Sequence, residues 1–170
     1  MRAVLLSALF VMACRIDLDH AETPDASVSG RACKVSTSTS CKEADNHSDF
    51  TFIKNNIFPL SCSSSSSCHM SSTSSGRIDL SEANAYATLM GPSGAGMKSG
   101  IDTSRTLVVP GQPKASYFFF LLHGVKASEG EPAFSEPPTD VGYMPMNNNP
   151  ICCQKLDAIE RWITAGAKND

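Results

Sequence analysis

The chain has 170 residues, a net charge of -3 and only 18% charged residues. It is therefore of single-domain size and lacks the basic stripe that nucleic-acid binding requires, and no apolar run reaches the roughly 20 residues of a membrane-spanning helix. Serine takes the place of charge, with 24 in the chain and ten of them between Ser61 and Ser75, while seven cysteines point to an oxidising compartment or to a bound metal or cofactor.

Residues 1–13 carry one positive charge, Arg2, and then an uninterrupted run of apolar and small residues. This is the form of a signal peptide, too short to span a bilayer. Val11-Met12-Ala13-Cys14 resembles a bacterial lipobox, which implies cleavage before Cys14 and lipidation of Cys14. Arg15, in place of Asp, implies sorting to the outer membrane. The other reading is an ordinary secretory peptide. Residues 14–47 have little apolar periodicity, a turn signal at Thr23-Pro24-Asp25 and a Ser-Thr alternation over residues 36–40. Such a composition buries little, so a lipidated flexible tether is expected. Within it Cys33 and Cys41 are spaced to close a small loop, and His20 and His47 are expected to be solvated.

The folded domain is expected over residues 48–170. Phe50, Ile53 and Ile57 recur at helical spacing, with Ser48 or Asp49 as the cap and Pro59 as a disturbance. A serine-rich loop follows Cys62. Asp79-Leu80-Ser81-Glu82 has the form of a capping box, and Ala83, Tyr86, Ala87 and Met90 make one face of a helix that Gly91-Pro92 stops. Leu107 to Gly111 reads as an extended or turn segment. Pro113 opens a helix through the apolar run Tyr117 to Leu122, closed by Gly124. Asn149-Pro150 opens the last helix, whose stripe is Cys152, Leu156, Ile159 and Ile163, with Trp162 beside it. No period-two pattern is convincing, so the fold class expected is all-α.

The chemistry concentrates in Cys62-Ser63-Ser64-Ser65-Ser66-Ser67-Cys68-His69. A cysteine pair followed directly by histidine is the core of c-type haem attachment. Two thiols add to the two vinyl groups of the porphyrin, and the adjacent imidazole reaches the iron. A thioether is a frequent second ligand, and Tyr143-Met144-Pro145-Met146 supplies two methionines on a proline-held loop.

The order of these pieces resembles the small class I cytochrome c fold. More narrowly, it is similar to the haem-binding cytochrome domains of planctomycete-type secreted proteins. The matching pieces are Ile57-Phe58 before the cysteines, Ile78-Asp79-Leu80-Ser81, the Val109-Pro110-Gly111-Gln112-Pro113-Lys114-Ala115-Ser116 segment, Met144-Pro145, and the Trp162-Ile163-Thr164-Ala165-Gly166-Ala167 ending. The resemblance implies one covalent haem c on Cys62 and Cys68, with His69 as proximal ligand and Met144 as distal ligand (Met146 as the alternative). It also implies one-electron transfer to a redox partner protein in the periplasm or at the outer envelope, with the membrane reached through the lipid anchor. Five residues separate the cysteines where the family has two, so the serine run must bulge for both thiols to meet one porphyrin edge. The competing reading is a Cys62–Cys68 disulfide on a haem-free scaffold that acts as a binding or structural module. A zinc site from Cys62, Cys68, His69 and one of Cys152 or Cys153 is a third. His123 is a further possible ligand, more simply a surface or capping residue. No nucleophile triad, supported carboxylate pair or phosphate loop occurs, so no enzyme is expected.

Overall fold

A computed structural model describes residues 32–63, 68–71, 78–146 and 149–170. The expectations for the signal peptide, Cys14, His20 and the start of the tether lie outside these residues. Among the described residues the regular structure is helical, with no strand and one isolated bridge between Lys98 and Thr106, in keeping with the all-α expectation. No helix there is long and apolar enough to cross a membrane.

The segment expected to be tether is folded from Cys33 onward. Helix α1 (Thr39–Ala44) opens at Ser38, whose Oγ accepts the Cys41 N–H at 3.3 Å. The Ser-Thr alternation thus supplies a helix cap, as short hydroxyl side chains do. Cys33 and Cys41 close no small loop between themselves. Cys33 pairs with Cys153 and Cys41 with Cys152, at Cα separations of 5.1 and 6.4 Å. Together the bridges pin α1 and the segment before it to the start of the last helix, α6 (Cys153–Thr164). The Gln154 side chain reinforces them, accepting the Ser36 N–H at 3.1 Å and donating to the Ser36 carbonyl at 2.7 Å. Arg161 donates to the carbonyls of Ala44 at 2.7 Å and His47 at 2.8 Å. These two disulfides are more consistent with an oxidising compartment than with a reducing one.

Asp49 caps the next helical rod, its Oδ1 accepting the Phe52 N–H at 2.7 Å. The rod consists of α2 (Phe50–Phe52), a π-turn (Ile53–Ile57) and α3 (Phe58–Ser61). In a regular α-helix the Pro59 ring would crowd the carbonyl four residues back. The wider turn immediately before it, in which the Phe58 N–H reaches the Ile53 carbonyl, lets the helix continue past the proline to Cys62.

Two expected helix starts move. Asp79 does not cap a helix at Ser81. Its carboxylate accepts the Ser81 N–H at 3.0 Å and the Asn84 amide at 2.8 Å, which closes a local turn, and α4 begins only at Ala85 (Ala85–Met90). Asn149-Pro150 likewise precedes the last helix, which starts at Cys153 with Cys152 in the cap position. The segment after Pro113 is a 3-10 turn (Pro113–Ala115), then α5 (Tyr117–Leu121). The break falls at buried Ser116, whose Oγ takes the Val109 N–H at 2.9 Å and donates to the Gln112 carbonyl at 2.9 Å. Gly111, at φ +78°, makes the turn between Val109 and Pro113 and donates its N–H to the Ile163 carbonyl at 2.7 Å.

The core is an aromatic chain. The Phe50 ring lies 5.0 Å from Trp162, 5.2 Å from Tyr86 and 6.1 Å from Phe58, and Phe58 meets Phe118 at 6.0 Å. It joins α2, α3, α5 and α6 and ends at a cavity. Phe50 is 0% exposed, so Phe50→Ala is expected to cost about 3–5 kcal/mol. A thermal melt followed by circular dichroism checks this, and a loss under about 1 kcal/mol would mean that the ring is not in a packed core.

Candidate cofactor site

The five residues singled out as cofactor ligands, Cys62, Cys68, His69, Met144 and Met146, line one cavity of about 340 Å³. Its other walls are mainly apolar, from Ile78, Leu80, Phe118, Leu121 and Leu122, with Asp140 as the charged residue. The size falls within the range of about 300–1,000 Å³ for small-molecule sites.

Cys62 enters from the end of α3, its N–H donating to the Phe58 carbonyl at 2.8 Å. It is a buried free thiol. Burial pushes the thiol up from 9.0 to about 12, against an opposing pull from the Lys155 ammonium, because a thiolate is poorly solvated there. The unfolded chain ionises this group first. Stability is therefore unaffected by Cys62 below about pH 8.5 and falls as the pH rises from 9 toward 12. In the native protein at neutral pH, Cys62 is expected to react with a disulfide reagent far more slowly than in urea. Equal rates in the two conditions would contradict its burial.

Cys68 is disulfide-bonded. The Cys62–Cys68 bridge of the haem-free reading is therefore not formed, since Cys62 keeps its thiol. The zinc arrangement is excluded as well, because Cys152 and Cys153 are both bridged, to Cys41 and Cys33.

His69 follows directly and is held on three sides. Its N–H donates to the Cys62 carbonyl at 3.1 Å, its carbonyl accepts the Leu80 N–H at 2.7 Å, and its Nδ1 lies 3.2 Å from the Ile78 carbonyl oxygen. The first contact draws Cys62 and His69 together across the six residues between them and brings both to one wall. A proton on Nδ1 donated to Ile78 puts the ring's lone pair on Nε2, the tautomer that suits metal ligation.

The methionine loop reaches the cavity from the opposite end of the sequence. The Met144 N–H donates to the Leu121 carbonyl at 2.8 Å. Tyr143 beside it stacks on His123 at 4.2 Å, meets Phe120 edge-on at 5.4 Å, and donates its hydroxyl to Glu136 Oε2 at 2.7 Å. Met144 is half-buried and packs on the core, whereas Met146 is 46% exposed. Among the two, Met144 is the better-held thioether.

No protein-family model, curated protein or solved structure matches this chain. The site therefore stands on its own geometry. His123, the other histidine of the aromatic run, adopts φ +62° and supports Tyr143. Its role as a buttress had no signal in the sequence, nor did that of the Leu121 carbonyl. His47 is bound to Asp49 at 2.8 Å and stacked on Phe52 at 3.9 Å, so it is partly ordered and not simply solvated.

Proposed function

We propose that the cavity holds one covalently attached haem and that the protein transfers single electrons on the outer side of a bacterial membrane. The observation that carries this reading is the meeting of Cys62, Cys68 and His69 with Met144 in one apolar cavity. A bound haem would supply the one-electron couple. The chain's own residues fit its needs: Cys62 offers a thiol, His69 an oriented imidazole, Met144 a thioether, and the phenylalanine and leucine walls exclude water, which tunes the potential. Addition to a vinyl group needs a thiol, so attachment at Cys68 requires its disulfide to be reduced first. In this reading the domain is a cytochrome c-like fold, exported by the signal segment, and its partner is another redox protein. The absorption spectrum of the whole chain made with haem-attachment machinery tests it.

Thioether ligation raises a haem potential relative to two nitrogen ligands. Met144→His is accordingly expected to lower the midpoint potential while keeping six-coordinate iron, and Met146→Ala to leave the spectrum in place. A spectral change in Met146→Ala alone would transfer the ligand role to Met146.

The disulfide at Cys68 favours a second reading. Here the protein is a haem-free, disulfide-stapled envelope module that binds a partner. Colourless protein of unmodified mass, made with the machinery present, would leave this one standing.

A further inference from the structure

We infer that the haem-free chain binds one Cu(I) ion in this cavity, through the Cys62 thiolate, the His69 imidazole and the thioether of Met144, with Met146 as the fourth donor at the rim. The inference does not rest on the haem reading, because it concerns the chain before or without that cofactor. It starts from the chemical kind of the donors. Four side chains that line one cavity carry a thiol, an imidazole and two thioethers, and Cys68 is not among them because its sulfur is in a disulfide.

Thiolate and thioether ligands select Cu(I), whereas carboxylate, carbonyl and water suit magnesium, calcium and manganese. Structural zinc sites in proteins use cysteine, histidine and carboxylate. With one thiol and one imidazole, this cavity gives zinc two such donors and two thioethers that it uses poorly, and no group of three Cys, His, Asp or Glu among the described residues could hold a metal ion. The apolar walls favour a singly charged ion whose charge the thiolate cancels. Binding is a proton exchange. The Cys62 S–H bond breaks, sulfur takes the metal, one proton leaves to solvent, and no oxidation state changes. Met144 is anchored through its N–H to Leu121 and His69 through three contacts, so two of the donors come from held main chain.

The experiment is an anaerobic titration of the full-length, haem-free chain with Cu(I) against a coloured Cu(I) chelator, its disulfides left intact. One equivalent is expected to be withdrawn from the chelator. Cys62→Ser and Met144→Leu are each expected to weaken binding by about tenfold or more, and Met97→Leu, at an exposed methionine outside the cavity, to change nothing. Should Cys62→Ser fail to fold by circular dichroism, His69→Gln carries the same test. Chain already loaded with covalent haem is expected to withdraw no copper. Copper binding that survives Cys62→Ser, His69→Gln and Met144→Leu, or that persists in haem-loaded chain, would overturn the inference. So would zinc binding as tight as Cu(I). The colour of the haem-loaded protein reads out the haem proposal separately, so either can fail alone.

Discussion

Protein exported in a cell that attaches c-type haem is expected to stay coloured after denaturation and acid-solvent extraction, and to carry the mass of one haem. Non-covalent haem is removed by such treatment; a thioether is not. The two sulfurs that can form it in the cavity are Cys62 and Cys68. Exchange of both for alanine is expected to abolish retained colour, because no other cavity thiol remains. His69→Ala should leave little holoprotein, since it removes the imidazole proposed as the iron ligand, which stands on main chain bonded to Cys62 and Leu80 with its Nδ1 on the Ile78 carbonyl. Wild-type protein that loses all colour on extraction would remove the covalent site. Colour retained in the double cysteine variant would mean that haem is held elsewhere.

Loss of the Cys33–Cys153 and Cys41–Cys152 disulfides together is expected to cost nearly three times the loss of one. The bridges join neighbouring pairs, Cys33–Cys153 and Cys41–Cys152, with sequence separations of 120 and 111. Once one exists in the unfolded chain, the other closes a ring of only about ten residues, worth about 2.5–3 kcal/mol in chain entropy. The first to form closes a ring of more than a hundred residues, worth nearly 5 kcal/mol more. Cys41→Ser/Cys152→Ser should thus lower the melting temperature by roughly 10 °C. The variant with all four cysteines replaced should lose about 7–8 kcal/mol, comparable with the whole stability of a typical domain, and be largely unfolded at room temperature. Melts of the two paired variants and the quadruple variant check this. Losses that simply add would show that the two bridges do not share a ring.

Much of this was legible in the residues, and the failures have a common cause. The rod from Phe50 and the last helix carry strong apolar spacing, and the buried Ile53, Ile57, Leu156, Ile159 and Trp162 lie where that spacing puts them. The cavity residues were legible by chemical type: a thiol-imidazole pair and a proline-held thioether are recognisable even when 75 positions apart. Residues 33–46 misled because low apolar content argues against a core only when no covalent link replaces burial. Cysteine connectivity cannot be read from spacing, so neither could the folded state of that segment. Asp79 misled more locally: the same carboxylate that can cap a helix three residues on can close a turn two residues on, and Asn84 tips the choice by donating to it.

The Cys33–Cys153 bridge also sets where mechanical load travels. Tension entering from the residues before Cys33 and leaving through those after Cys153 passes across one sulfur–sulfur bond and along α6. The 120-residue separation between them, which holds the cavity, the serine run and the methionine loop, is bypassed. Extended, that stretch would span about 400 Å; bridged, it contributes no length and feels no pull. The loops that line the cavity are thereby insulated from strain applied across that bridge.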